Sequence, residues 1–184
     1  MPKQVLKTVQ MAMFVAISVV LVYFIHFPLI PSAPFLEYDM ADIPVMLGAL
    51  LLGPAEGIII LLAACLIQAL TVSAASGWIG FVMHFVASAA LVMIAAVFYR
   101  KHADKKHLIL GLVCGTLAMT VIMIPLNLIF TGIFLGAGTA AVKSMLIPAI
   151  IPFNLLKASI NSVVTFIVFL PVKKGFDNIK ERKR

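Results

Sequence analysis

The chain has 184 residues, 63% of them apolar and 11% charged, with a mean hydropathy of +1.16 and a formal net charge of +7. A soluble globular domain is about 45–50% apolar and about 25% charged, whereas here no charged residue falls in 8–36, 57–99 or 107–142. Runs of that length cannot all hide in one small soluble core, and each is long enough for a bilayer crossing of about 20 residues, so the composition excludes a soluble enzyme or a nucleic-acid binder and predicts an integral membrane protein.

Segment 1 is expected over 8–27. Lys3 and Lys7 precede it as in a signal peptide, but the apolar run is too long and has no convincing small-residue cleavage site. It ends at Pro28, Pro31 and Pro34. Residues 42–73 as one helix would measure about 48 Å, too long for a hydrocarbon core of about 30 Å. Gly53-Pro54 breaks this stretch and Glu56 sets a charge beside the break, which gives segments over 42–52 and 55–73. Three more follow at 78–99, 108–132 and 150–172, the last tolerating Pro152 in its first turn.

Charge bias sets the sidedness. Six crossings place Lys3, Lys7, the basic residues of 100–106 and the tail residues Lys173, Lys174, Lys180, Arg182, Lys183 and Arg184 on the cytoplasmic face. Lys143 is then the one basic residue in an outer loop, whereas five crossings would split the basic groups between faces. The expected fold class is an all-α integral membrane protein: six transmembrane helices in a single membrane domain over 1–184, both termini cytoplasmic. The outer connections are 28–41, 74–77 and 133–149. Connections longer than about 12 residues often serve as lids or binding loops, a passive tether being the plainer reading.

Polar groups inside the spans carry the functional signal, because each is costly in lipid. Asn154, Lys157 and Asn161 share one helical stripe. The helical rise places Lys157 about 10 Å in from the outer end, His84 about 9 Å below Trp78, and Asn127 about 29 Å along its segment from the inner side. Gln68 lies in the outer half of its own segment. Four helices thus carry an ammonium, carboxamides and an imidazole at a similar depth, as a small-molecule site would need. Singly, each has a plainer reading: interhelical hydrogen bonding for asparagine, packing for His84, snorkelling for Lys157, interfacial anchoring for Trp78. Gly77 and Gly80 permit close approach of a helix or a flat ligand. Cys65 and Cys114 read as packing residues, not a disulfide or a metal site. Glu37, Asp39 and Asp42 are expected to face outward. Ala12 and Ala16 form a small-xxx-small pair that lets helices approach closely. There is no phosphate-binding loop, no H-E-x-x-H, no paired-cysteine spacing and no G-x-S-x-G, so uphill movement of a solute would need energy from another protein.

The run Phe35-Leu36-Glu37-Tyr38-Asp39-Met40-Ala41-Asp42-Ile43-Pro44 is followed by Gly53-Pro54-Ala55-Glu56-Gly57, Gly77-Trp78-Ile79-Gly80-Phe81-Val82-Met83-His84, Pro125-Leu126-Asn127 and Asn154-Leu155-Leu156-Lys157. Together they resemble the substrate-binding (S) components of energy-coupling factor vitamin transporters, specifically the riboflavin-binding type, over about 8–172. The resemblance implies the S-component fold and a non-catalytic vitamin receptor in a bacterial cytoplasmic membrane, with riboflavin as transported ligand and no cofactor or metal. It also implies assembly with a membrane coupling (T) subunit and two cytoplasmic ATPase subunits. Ala12 and Ala16 match the family's A-x-x-x-A docking patch. The set Asn127, Asn154 and Lys157 points to riboflavin, whose pyrimidine edge offers an acceptor, a donor and an acceptor to amide and amine groups. Leu36, Tyr38 and Met83 are candidates for the dimethylbenzene end, with Gly80, His84 and Trp78 beside them; the ribityl hydroxyls are left without assigned partners. Rival readings are an S component for another vitamin, a small membrane enzyme acting on a lipid, and a small channel. A cationic vitamin such as thiamine would call for a carboxylate or an aromatic cage in place of Lys157. The enzyme would call for an acidic metal cluster, and the channel for a repeated polar helix face.

Overall fold

An apolar stretch free of proline gives α1 (Lys3–Phe24), the first element of a computed structural model that describes residues 3–181. The side chains of Lys3 and Lys180, and Arg182, Lys183 and Arg184 altogether, lie outside what is described. Beyond α1 the prolines forbid helix, because each lacks an N–H and fixes φ. The chain turns extended and forms a short antiparallel ribbon, β1 (His26–Pro28) against β2 (Glu37–Asp39), pairing His26 with Asp39 and Phe27 with Tyr38. This ribbon of two three-residue strands is a small addition to a predominantly helical fold, and the connection expected over 28–41 is partly strand.

Next come α2 (Asp42–Leu52) and α3 (Pro54–Leu70). Gly53 between them has φ +134°, a conformation that suits glycine, and Pro54 supplies the pre-set φ of a first helical turn. Glu56 in that turn is ion-paired with Lys7 of α1. A 3-10 turn (Ala74–Ser76) leads into α4 (Gly77–His102), so the connection expected at 74–77 is a single tight turn. Ala103 in a left-handed conformation ends α4, and Asp104 caps α5 (Lys105–Leu126) by accepting the His107 N–H at 2.7 Å. That bond, with the His107 ring beside it, holds the Asp104 carboxyl below the usual carboxylate range.

Small residues set how closely α4 and α5 pack. A Cβ built on Gly111 would lie 3.0 Å from the Ala95 carbonyl oxygen, and one on Gly115 would lie 2.8 Å from that of Leu91. Backbone approach of this kind maximises van der Waals contact where lipid supplies no hydrophobic drive between helices.

Pro125 near the end of α5 removes one ladder hydrogen bond, and the helix widens into a π-turn over Asn127–Thr131 before a short α6 (Gly132–Phe134). After Gly136 and Gly138 the chain forms α7 (Thr139–Met145), a second π-turn around Pro148 (Leu146–Ile150), and the long α8 (Ile151–Glu181). The stretch expected as a loop over 133–149 is therefore largely helical. Its Thr139-Ala140-Ala141-Val142 run contains two alanines, the best helix formers.

Two apolar clusters result. The larger joins α1, α2, α3, α4, α5 and α8 through Phe14, Met46, Ile60, Leu91, Leu108, Met119 and Phe169. The smaller packs the ribbon and its loop against α7 and the start of α8 through Leu36, Tyr38, Val142, Ile150 and Phe153. Outside, Val9, Ile59, Leu66, Val113, Leu117, Val121, Val163 and Ile167 are exposed, a surface that only lipid solvates favourably. Among the described residues, α1, α4, α5 with its extension and α8 with its lead-in are long and apolar enough to cross a membrane, and α2 and α3 are shorter apolar helices.

Candidate functional site

A cavity of about 160 Å³ opens at the end of the bundle away from the α4–α5 turn. Its wall draws on the ribbon and its loop (His26, Leu36, Glu37, Asp39), the end of α3 (Cys65, Gln68), the turn after it (Ser73, Ser76) and the start of α4 (Gly80, Met83, His84). Met119, Met123, Asn127 and Thr131 enter from α5 and its π-turn, and Phe153, Asn154 and Lys157 from α8. Of the residues singled out by sequence, Asn127, Asn154, Lys157, Leu36, Gly80, Met83 and His84 line this one space. Tyr38 and Trp78 do not. Tyr38 is buried behind the wall, where its hydroxyl donates to Asn161 Oδ1 at 3.0 Å. Trp78 is 63% exposed and meets Phe130 edge-on, the posture of an interfacial side chain.

Each of the two carboxamides is anchored to the backbone one turn earlier in its own helix. Asn127 Nδ2 donates to the Met123 carbonyl at 2.7 Å and Asn154 Nδ2 to the Ile150 carbonyl at 2.8 Å, each four residues back. Thr131 donates its hydroxyl to Asn127 Oδ1 at 2.8 Å. Asn154 Oδ1 has no partner among the described residues although the side chain is buried. An orphaned buried acceptor is unfavourable, so a ligand N–H or O–H is the group it lacks.

Lys157 is buried and does not snorkel; its Nζ donates to Asp39 Oδ2 at 2.6 Å. The other Asp39 oxygen accepts the Ala41 N–H at 3.0 Å, and the Asp39 carbonyl accepts from Asn161 Nδ2 at 3.3 Å. Asp42 is buried too, with Oδ1 3.3 Å from His84 Nε2 and Oδ2 unpaired among the described residues. Of the three carboxylates Glu37, Asp39 and Asp42, Glu37 alone stays exposed, beside the His26 ring at 2.7 Å. The expectation that Asp39 and Asp42 face outward is therefore corrected: the ribbon folds back over the bundle and carries Asp39 to Lys157. The sequence did hold a clue, since a lysine buried in a span requires an anion. Gln68 also lines the cavity, its Nε2 donating to Ser73 Oγ at 3.2 Å.

Among the described residues, no group of three or more His, Cys, Asp or Glu side chains is arranged to hold a metal ion, and Cys65 and Cys114 are both free thiols. Ala12 and Ala16 lie on the outward face of α1 and take no part in the cavity. What the cavity offers is a fixed set of hydrogen-bonding groups in an apolar frame, suited to reversible capture of a neutral polar molecule.

The sequence matches the family described as ECF transporter, substrate-specific component, over residues 6–169. It is 34% identical over 175 residues to the riboflavin transporter RibU of Streptococcus thermophilus, covering 91% of this chain and 82% of that protein. To the riboflavin transporter FmnP of Bacillus subtilis it is 28% identical over 181 residues, covering 92% and 93%. A solved structure of the S component of a bacterial ECF transporter superposes with a TM-score of 0.82 at 29% identity, covering 95% of this chain and 99% of the other. The chain belongs to the substrate-specific components of ECF transporters, and is accordingly a multi-pass membrane transport subunit and not an enzyme.

Proposed function

We propose that this protein binds riboflavin with high affinity and is the specificity subunit of an ATP-driven importer, capturing the vitamin from the outer face of the bacterial cell membrane. The observation that carries the reading is the unpaired Asn154 Oδ1 beside Lys157 Nζ in one cavity. Asn154 accepts the flavin N3–H, and the Lys157 protons not taken by Asp39 go to an adjacent ring carbonyl, so the donor–acceptor order of the pyrimidine edge is met. The second amide proton of Asn127 is available to the same edge. Met83 and Leu36 supply apolar contact for the dimethylbenzene end, beside Gly80 and His84. The riboflavin transporters of two other bacteria, aligned over nine-tenths of this chain, support the choice of vitamin.

The orientation rests on charge: Lys7, the 100–106 turn and Lys173 and Lys174 are cytoplasmic by the positive-inside tendency, which puts both termini inside and the cavity mouth outside. The chain forms one membrane domain. Its partners are a membrane coupling (T) subunit, docked on the α1 face that carries Ala12 and Ala16, and two cytoplasmic ATPases that supply the energy.

Titration of the detergent-purified full chain with riboflavin, followed by flavin fluorescence, tests this. Saturable quenching at one flavin per chain is expected. Fluorescence that stays linear with added flavin, with no bound flavin in the absorption spectrum, overturns the reading.

A further inference from the structure

We propose that Gln68 and Ser73 form a hydroxyl-binding subsite that holds the polyol side chain of the ligand, an inference that rests on the riboflavin reading and extends it. Gln68 sits in the last turn of α3 and is 6% exposed, yet its Oε1 has no hydrogen-bond partner among the described residues. Its Nε2 donates to Ser73 Oγ at 3.2 Å. Ser73 Oγ therefore acts as acceptor there and keeps its own proton to donate. The turn is tied down by its backbone: the Ser73 N–H donates to the Gln68 carbonyl at 2.9 Å, and Ser76 Oγ donates to the Ser73 carbonyl at 2.8 Å. Gln68, Ser73 and Ser76 all line the cavity.

A free amide oxygen next to a hydroxyl that can donate presents one acceptor and one donor side by side. A ring carbonyl cannot satisfy the Gln68 oxygen, because it has no proton to give. A chain of hydroxyls can, since each both gives and takes. Asn154 and Lys157 stand on α8, whereas Gln68 and Ser73 stand on α3 and the turn after it. A ligand that meets both sets must carry a planar hydrogen-bonding edge in one part and hydroxyls in another.

The test compares equilibrium binding of riboflavin and lumiflavin, which has the same ring with a methyl group in place of the polyol, to the detergent-purified full chain. Gln68→Leu is expected to weaken riboflavin about tenfold, the effect of leaving one hydroxyl unpaired in a buried site. Lumiflavin binding should stay within about twofold, because the ring contacts are untouched. Ser73→Ala should act in the same direction by a smaller factor. An unchanged riboflavin affinity, or an equal loss for both flavins in a variant that still binds them measurably, overturns the subsite. Lumiflavin binding also reports whether the variant is folded. Should Gln68→Leu bind neither flavin, Gln68→Asn, which withdraws the same amide by one methylene, decides: selective loss of riboflavin supports the subsite and equal loss rejects it. Failure of the unaltered chain to bind riboflavin at all would instead reject the riboflavin reading, so the two failures are told apart.

Discussion

Asp39 and Lys157 are 118 residues apart in the chain and meet at 2.6 Å inside the protein, the first at the end of a loop ribbon and the second on α8. The ion pair ties the ribbon to the bundle over the cavity. It also leaves Lys157 without net charge to offer, so the site suits a neutral ligand.

Breaking one side of this pair strands the other. Asp39→Ala should destabilise the protein by about 3–5 kcal/mol, the usual cost of an uncompensated buried charge. Asp39→Leu with Lys157→Met should recover most of that loss, because an apolar pair of similar volume needs no solvation. Thermal unfolding in detergent reads both. Equal destabilisation by the single and double variants would mean that the pair's charges are not what matters.

The close approach of α4 and α5 makes a second prediction. Gly115→Val would drive its side chain into the Leu91 carbonyl and should cost about 1–3 kcal/mol by overpacking. Gly175→Ala in α8 meets nothing within 4 Å and should stabilise by about 0.5–1 kcal/mol through helix propensity. The same melting assay checks the contrast in sign.

These two cases also mark where sequence is readable. The α2–α3 break announces itself, because Gly53-Pro54 combines a residue free to adopt φ +134° with one that starts helices. The depth of Gln68, His84, Asn127 and Lys157 is legible because helical rise converts residue number into distance. Burial of Asp39 is legible only indirectly, through the anion that a buried Lys157 requires, since a loop carboxylate looks solvated until tertiary packing folds its ribbon back. Strands of three residues carry too little alternation to be seen. The helix in 133–149 is obscured by Gly136 and Gly138, although Ala140 and Ala141 favour it. Tyr38 and Trp78 look like ligand contacts by type and position, and only packing sends one behind the wall and the other outward.

Ala12 and Ala16 lie exposed on α1, beside Val9 and Met13. Ala12→Trp and Ala16→Trp should leave riboflavin binding to the isolated protein intact and abolish uptake in cells that supply the coupling subunit and ATPases, because a bulky ring prevents close helix docking. Normal uptake by both variants would remove that face from the docking surface.

Trp78 is outside the cavity wall. Trp78→Ala should alter riboflavin affinity by less than about twofold, as for a surface substitution remote from the ligand. A larger loss, read by the same fluorescence titration, would place the indole in contact with the flavin.

Asn154, whose buried oxygen has no donor among the described residues, is central to the proposed binding geometry. Riboflavin affinity of Asn154→Leu, measured beside the unaltered chain and Trp78→Ala, is the most direct test. Loss of about tenfold or more is predicted, because the flavin N3–H would be buried without an acceptor. Wild-type affinity in Asn154→Leu would contradict the proposed binding geometry.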